Sequence, residues 1–174
     1  LGSGKYFFIE SDEYDSAYFE KISKFRSYSL DNMILTSLEF DHADIFNSIE
    51  DIKSQFMAAI PNIEKTMVFS GDYIASLELF HQFREGSKNK WFMYGEKTEL
   101  GPKIISSNEF GTKFELKFNK ENLIFETNLI GRHNILNLSA VLIYALSEGF
   151  SHTELSQHVK DLHMVKRRQE VRGT

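Results

Sequence analysis

The sequence predicts an α/β fold in which a mainly parallel sheet is flanked by helices and carries a small antiparallel β appendage. Three observations lead to this class. In the first half of the chain, short apolar runs typical of buried strands alternate with segments of helical character. In the second half, three strand-like segments follow one another with only turn residues between them, and two further helical segments come after them.

The composition is that of one globular domain, with 174 residues, of which 41% are hydrophobic and 26% charged. A net charge of −5 argues against binding to nucleic acid or to an anionic membrane surface, because both require a basic face. No apolar run approaches the roughly 20 residues of a membrane span, and no signal peptide is recognisable. The absence of cysteine excludes disulfides, thiolate zinc sites and a cysteine nucleophile. We therefore expect a cytoplasmic protein whose oligomeric state is open.

The first half is predicted to contain four strands and three helices. An N-cap pair, Asn47 with Glu50, begins the second helix, and Pro61 ends it. The expected strands are Tyr6–Ile9, Met33–Leu38, Thr66–Ser70 and Trp91–Tyr94, and the expected helices are Ser16–Lys21, Asn47–Ala59 and Tyr73–Phe83.

The second half is predicted to begin as an antiparallel meander and to continue as two helices. Gly149 closes the first of these helices, and the capping box Ser151–Glu154 opens the second. The expected strands are Lys103–Ser107, Thr112–Phe118, Leu123–Leu129 and, near the end, Val165–Arg172, and the first helix is expected at Asn134–Ser147.

Acidic clusters follow the first two predicted strands, at Glu10–Asp15 and at Glu39–Asp44. In an open parallel sheet, ligands bind beyond the carboxyl ends of the strands, and carboxylates there suit Mg²⁺. The alternative is that these residues are solvated caps of the following helices. His42 by itself would be a packed or surface histidine, so the metal hypothesis depends on the two strand ends converging.

Two other segments have residues suited to a nucleotide. Asn134 and Asn137 share a helix face, and carboxamides can pair with adenine, although N-capping is the alternative. The basic run Lys166–Arg168 could bind phosphate oxygens or be a solvated strand. Gly2–Lys5 is not a P-loop, because a strand is expected after it rather than before it.

Taken in order, four segments resemble the Mur ligase family of ATP-dependent amide-bond ligases in bacterial cell-wall synthesis. They read ESDEYD at Glu10–Asp15, EFDHADIF at Glu39–Phe46, GRHNILN at Gly131–Asn137 and KRRQEVRG at Lys166–Gly173. The resemblance runs over residues 1–173 and implies part of the central, P-loop/Rossmann-like ATP-binding domain. The P-loop strand is expected before Leu1, and the family's N-terminal UDP-sugar domain and C-terminal domain are expected outside this chain.

The resemblance also implies the function. The motifs are more similar to members that attach the tripeptide L-Ala-γ-D-Glu-meso-diaminopimelate to UDP-N-acetylmuramate, in peptidoglycan recycling, than to members that attach L-alanine. The family's reaction proceeds through an acyl phosphate formed with ATP. Three alternatives stay open: tripeptide ligation, L-alanine ligation and a non-catalytic nucleotide-binding module. The isolated 174 residues are expected to be inactive.

By motif position, the resemblance makes Glu10 and His42 catalytic residues and ligands of Mg²⁺. The residues that it implies for ATP are His133, Asn134, Asn137 and Arg168. Two positions depart from the family pattern. Ser37 stands where relatives usually have asparagine, and the family's carbamylated lysine has no counterpart, because Lys53 is out of register.

Overall fold

The computed structural model describes residues 3–12, 15–17, 20–41, 43 and 45–162. In these residues, three sheets are arranged along the chain: a two-stranded antiparallel ribbon, a three-stranded parallel sheet and a three-stranded antiparallel sheet. The strands are β1 (Asp15–Ala17), β2 (Glu20–Ser23), β3 (Asn32–Leu35), β4 (Thr66–Ser70), β5 (Lys90–Tyr94), β6 (Lys103–Asn108), β7 (Gly111–Phe118) and β8 (Glu121–Thr127). The α-helices are α1 (Ile49–Ala59), α2 (Ile74–Arg84), α3 (Arg132–Ser147) and α4 (His152–Lys160), and short 3-10 turns occur at Lys24–Ser27 and Ile60–Asn62.

The parallel sheet has the order β3-β4-β5 and is covered on both faces. Met67 and Phe69 of β4 pack into one apolar cluster with α1 and α2, whereas Val68 packs into a second cluster with α3 and the antiparallel sheet. Every residue of β4 is therefore buried, which explains why its sequence is a continuous run rather than an alternating pattern. The predicted strands at Met33–Leu38, Thr66–Ser70 and Trp91–Tyr94 are confirmed with small shifts at their ends.

The two helices that connect the parallel strands are confirmed, with one correction at the start of α1. Ser48, not Asn47, is the N-cap, because the Ser48 hydroxyl accepts a hydrogen bond from the Asp51 N–H at 3.3 Å. The Asn47 N–H instead donates to the Asp51 carboxylate at 2.9 Å. The first bond satisfies a donor that the first helical turn cannot pair within itself, and the second ties the residue before the cap to the helix.

The antiparallel meander of β6, β7 and β8 is confirmed. Residues of β7 alternate between half-buried and buried, as expected for a sheet with one covered face. Asn119 and Lys120 have φ angles of 48° and 70° and form the two-residue connection between β7 and β8. Such positive angles characterise the turn whose twist matches that of paired strands. The covered face packs through Phe114, Leu116 and Phe125 into the cluster that contains α3.

The caps of the last two helices are also confirmed. Gly149 has a φ of +94° and donates its N–H to Leu146 O at 3.1 Å, while the Phe150 N–H donates to Ala145 O at 3.1 Å. This pair of bonds is the Schellman arrangement, in which glycine tolerates the left-handed backbone. Ser151 and Glu154 form the reciprocal capping box of α4.

Two predictions near the start of the chain are wrong. Tyr6–Ile9 is not a strand: Tyr6 and Phe8 make aromatic contacts with Phe150 and Tyr144 beside the end of α3, with ring centroids 6.1 and 6.2 Å apart. A strand requires a hydrogen-bonded neighbour, and no described strand pairs with this segment. The predicted helix Ser16–Lys21 is replaced by residues of β1 and β2, which pair with each other.

The predicted strand Val165–Arg172 lies outside the described residues. Among the helices that the structure does describe, none has the length and the apolar character needed to cross a bilayer.

Candidate functional site

The loops that follow β4 and β5 are bonded to each other at the carboxyl edge of the parallel sheet. The Glu96 N–H donates to both carboxylate oxygens of Asp72, at 2.9 and 3.1 Å. The Gly71 N–H donates to Tyr94 O at 2.6 Å. Since ligands of open parallel sheets bind beyond this edge, the two loops form one wall of a candidate site.

Glycine is required at position 95 for two reasons. Its φ angle is +147°, which L side chains rarely adopt, and a Cβ there would lie 2.7 Å from the Asp72 Oδ1 atom. The Asp72 carboxylate can therefore lie directly over the backbone of Gly95. This close approach brings the carboxylate within reach of the next N–H, that of Glu96.

The surroundings of two tyrosines at the same edge raise their pKa values. Burial raises the pKa of Tyr73, and the negative charges of Glu39 and Asp72 raise it further. Burial also raises the pKa of Tyr94, although a hydrogen bond with Ser70 opposes that shift.

The first two turns of α3 expose two of the predicted nucleotide-binding residues. His133 and Asn137 are both solvent-exposed. Gly131, with a φ of +86°, is the N-cap, so N-capping by an asparagine does not explain the motif. Asn134 instead donates from Nδ2 to Ile130 O at 2.7 Å, which ties the first turn to the residues before it.

An ion pair connects this helix end to the loop after β5. The Arg132 guanidinium bonds to the Glu96 carboxylate. The pair borders a cleft of about 430 Å³ between α3 and the antiparallel sheet, whose lining includes Pro102, Ile104 and Thr112. Ile135 and Leu136 of α3 also line the cleft, which therefore faces one side of that helix.

Glu10 is exposed, and its carboxylate has the hard oxygen atoms that Mg²⁺ prefers. Within the described part of the chain, no three His, Asp or Glu side chains form a group that could hold a metal. A magnesium ion that keeps water ligands and binds phosphate needs only one or two protein carboxylates, so Glu10 fits as a single ligand. His42 and Arg168 lie outside the described residues, and the predicted convergence of Glu10 with His42 stays a prediction.

Lys53 connects α1 to α2 through ion pairs. Its side chain is 13% exposed, and its amine bonds to Glu78 and, at 3.1 Å, to Glu50. The hydrogen bond to Glu78, followed by that to Glu50, raises the pKa of Lys53, so the amine is held as a cation. Lys53 therefore has a structural role as a link between two helices.

The fold and the edge define a class. A parallel sheet with α1 and α2 on one face and α3 on the other, with polar loops beyond the strand ends, is a ligand-binding α/β domain of the open-sheet kind. Residues 3–145 match the family model described as the Mur ligase middle domain. This chain belongs to that family, which confirms the resemblance indicated by its motifs.

Similar proteins include ligases that differ in the group they attach. The chain is 31% identical to the UDP-N-acetylmuramate–L-alanyl-gamma-D-glutamyl-meso-2,6-diaminoheptandioate ligase of Haemophilus influenzae, over 99% of this chain and 38% of that protein. It is 30% identical to a UDP-N-acetylmuramate–L-alanine ligase of Streptococcus pneumoniae, over 95% of this chain and 35% of that protein. The chain thus spans little more than a third of the length of these relatives.

A solved structure supports the same grouping. The UDP-N-acetylmuramate:L-alanyl-gamma-D-glutamyl-meso-diaminopimelate ligase of Neisseria meningitides superposes with a TM-score of 0.73 and 29% identity, over 91% of this chain and 48% of that one. The parallel sheet, its helices and the antiparallel appendage are therefore the architecture of this family's middle domain.

Sequence reasoning missed Asp72, Glu96 and Arg132. The signal for the first two was present, because Asp72 and Glu96 each follow a Gly at the carboxyl end of a parallel strand. The rule that identified the acidic clusters after the first two predicted strands applies equally to these two. No local pattern pairs Glu96 with Arg132, because the two residues belong to different elements.

Proposed function

We propose that this chain is the ATP-binding part of a ligase that joins UDP-N-acetylmuramate to the tripeptide L-Ala-γ-D-Glu-meso-diaminopimelate in peptidoglycan recycling. The observation that carries the proposal is the similarity over 99% of the chain to a relative with this activity. In the structure, His133 and Asn137 of the GRHNILN motif are exposed on the first two turns of α3, where a ligand can reach them. ATP as a substrate places the reaction in the cytoplasm.

The nucleotide would bind through four side chains of this chain. Asn134 and Asn137 would pair with the edge of the adenine ring, with His133 beside them, and Arg168 would contact the phosphates. A well-placed carboxamide pair discriminates a base by about 1–3 kcal/mol, so this contact would contribute specificity for adenine. The positive end of the α3 dipole favours the anionic nucleotide as well.

Glu10 and His42 would hold Mg²⁺ in this proposal. The ion, when bound, neutralises charge on the phosphate oxygens. Glu10 follows the segment that packs beside the end of α3, and its exposed carboxylate is compatible with a ligand role. The contribution of these residues is to fix the position of the phosphates relative to the sugar substrate.

The proposed reaction has two steps. A carboxylate oxygen of UDP-N-acetylmuramate attacks the γ-phosphorus of ATP, the bond between that phosphorus and the bridging oxygen breaks, and ADP leaves. The tripeptide amine then attacks the acyl carbon, a C–N bond forms, the amine loses a proton and inorganic phosphate leaves. The role of this chain is to bind and orient ATP for the first step.

The amine substrate can be tested with the complete protein that contains this chain. It is given ATP and UDP-N-acetylmuramate with either the tripeptide or L-alanine, and both phosphate release and product mass are measured. The proposal requires phosphate release and a tripeptide product with the first amine. Turnover with L-alanine alone would identify the L-alanine ligase instead, a candidate favoured by the 30% identity to the pneumococcal enzyme.

A non-catalytic nucleotide-binding module is the second alternative. Glu10→Ala and His42→Ala in the complete protein are expected to abolish turnover, because loss of a metal ligand removes several kcal/mol, on the order of 10³-fold or more, from transition-state stabilisation. Glu109→Ala, an exposed glutamate in the turn between β6 and β7, and His158→Ala, an exposed histidine in α4, are the matched controls. Full turnover in both Glu10→Ala and His42→Ala would refute the assigned roles.

The isolated 174 residues are proposed to be inactive.

A further inference from the structure

We propose that Asp72, Glu96 and Arg132 form a positioning chain that sets the first turn of α3 relative to the carboxyl edge of the parallel sheet. The chain runs from the Asp72 carboxylate to the Glu96 backbone and from the Glu96 carboxylate to the Arg132 guanidinium. This inference rests on the proposed function, because the turn that it positions carries the motif proposed to bind adenine. The three residues are positioning residues and are not expected to contact the reacting atoms.

The first link sets the backbone of Glu96. Both oxygens of Asp72 accept from one N–H, and the absence of a side chain at Gly95 allows this approach. The loop that continues from Gly95 is closely packed. Thr98 donates to Gly95 O from its N–H at 3.2 Å and from its hydroxyl at 3.1 Å.

A second glycine confirms how little freedom this loop has. A Cβ at Gly101 would lie 2.1 Å from Gly95 O, so the loop returns against its own beginning. Glu96 therefore starts from a backbone position that is determined by its neighbours on both sides. A carboxylate whose backbone is held in this way can orient a partner better than one on a mobile loop.

The second link reaches the start of α3. Arg132 is the first residue of the helix and directly follows the N-cap Gly131. The φ of Gly131 is +86°, a conformation that glycine adopts readily. Glu96 places a negative charge beside the positive end of the helix, which is favourable for the helix itself. The pair therefore acts where the direction of the first turn is decided.

The positioning chain leaves the proposed nucleotide-binding face clear. At 100° per residue, one side of α3 and the opposite side carry different sets of residues. The cleft side has Arg132, Ile135 and Leu136, and the other side has His133, Asn134 and Asn137. The ion pair is thus on the far side of the helix from the carboxamides, and its effect on ATP must pass through the position of the turn.

The test uses the complete protein with saturating UDP-N-acetylmuramate and tripeptide. Glu96→Gln and Arg132→Gln are each expected to raise KM for ATP roughly twofold to fivefold, the range of an exposed ion pair, with kcat within about twofold of wild type. The double variant is expected to be no worse than either single variant, because both remove the same link. The double variant Asp72→Asn, Glu96→Gln is likewise expected to have the same KM for ATP as Glu96→Gln alone.

A matched pair in the same loop provides the control. Glu99 bonds to Lys117 of β7 at 2.7 Å, so it connects the loop to the antiparallel sheet and not to α3. Glu99→Gln is expected to leave KM for ATP unchanged. The double variant Glu96→Arg, Arg132→Glu exchanges the two charges and is expected to bring KM for ATP most of the way back to the wild-type value. A general loss of stability would not produce this result.

Two outcomes overturn the inference. If the wild-type protein ligates while Glu96→Gln, Arg132→Gln and Glu99→Gln all have the wild-type KM, or all raise it equally, the positioning chain is refuted and the proposed function stands. If the wild-type protein neither binds ATP nor ligates, the proposed function fails and the inference fails with it.

Discussion

The parallel sheet of β3–β5 and the antiparallel sheet of β6–β8 lie against α3 and differ in how they use their surfaces. Every residue of β4 is buried, whereas every residue of β6 is exposed. At the carboxyl edge of the parallel sheet, polar loops bond to each other and to the start of α3. The antiparallel sheet packs in the same apolar cluster as that helix through Phe114 and Phe125.

This difference indicates that the two sheets have different roles within one domain. The parallel sheet, covered on both faces, provides a rigid edge on which polar groups can be held. The antiparallel sheet provides apolar cover for α3 and presents an exposed outer strand. The candidate site lies at the carboxyl edge of the parallel sheet, beside the start of α3.

The largest expected effect compares the fully buried strand β4 of the parallel sheet with the exposed strand β6 of the antiparallel sheet. Phe69→Ala, in the centre of β4, is expected to lower the free energy of unfolding by about 3–5 kcal/mol, because a fully buried ring is removed and a cavity remains. Ile105→Ala, in β6 and 52% exposed, is expected to change it by roughly 0.5 kcal/mol or less. Urea denaturation followed by circular dichroism measures both. Equal losses would contradict the distinction between the sheets.

The next effect concerns nucleotide binding. Asn137→Ala is expected to raise KM for ATP on the order of tenfold in the complete protein, because one carboxamide contact to the base is lost. The control is Asn122→Ala, which removes an exposed carboxamide from β8. Steady-state kinetics at varied ATP separates the two. An unchanged KM in Asn137→Ala would remove this residue from the proposed adenine contact.

A smaller effect is expected at the cap of α4, the helix that packs against β8. Ser151→Ala is expected to cost about 1 kcal/mol of stability, because the hydroxyl accepts from the Glu154 N–H at 3.3 Å and donates to the Glu154 carboxylate at 2.6 Å. KM for ATP should stay at the wild-type value, since this cap belongs to the antiparallel side. Denaturation and kinetics on the same variant test both statements, and a raised KM would contradict the second.

The smallest effect is a dependence of stability on pH. Hydrogen bonds from the Ser151 side chain, and then from its backbone, lower the pKa of Glu154 below its ordinary value of 4.5. A carboxyl group whose pKa is lower in the folded state stabilises the fold above the unfolded value and loses that contribution as the pH falls through the folded value. Glu154→Gln should therefore show a weaker pH dependence than wild type between about pH 6 and about pH 3. Parallel curves for the two proteins would contradict this.

Elements with a complete local signal could be predicted from the sequence. The buried run of β4, the turn at Asn119 and Lys120 and the capping box of α4 each depend on residues within a few positions of one another. The helix that carries the GRHNILN motif was also predictable, because its residues are close along the chain, and the role of the motif in adenine binding stays a proposal. Predictions failed where a partner was needed. Tyr6–Ile9 has the composition of a strand, but a strand forms only beside another, and this segment packs its rings on the end of α3 instead.

The sequence by itself determined the α/β class, the order of the elements from β3 to α4 and the family, because apolar periodicity, caps and motifs act over short distances along the chain. Only the tertiary structure decided that Ser48 caps α1 and that Lys53 joins α1 to α2. It also decided that Asp72 and Glu96 meet above Gly95, with Arg132 beyond them. Such contacts depend on the register of parallel strands and on the direction of a helix that packs on them, and neither is encoded by neighbouring residues.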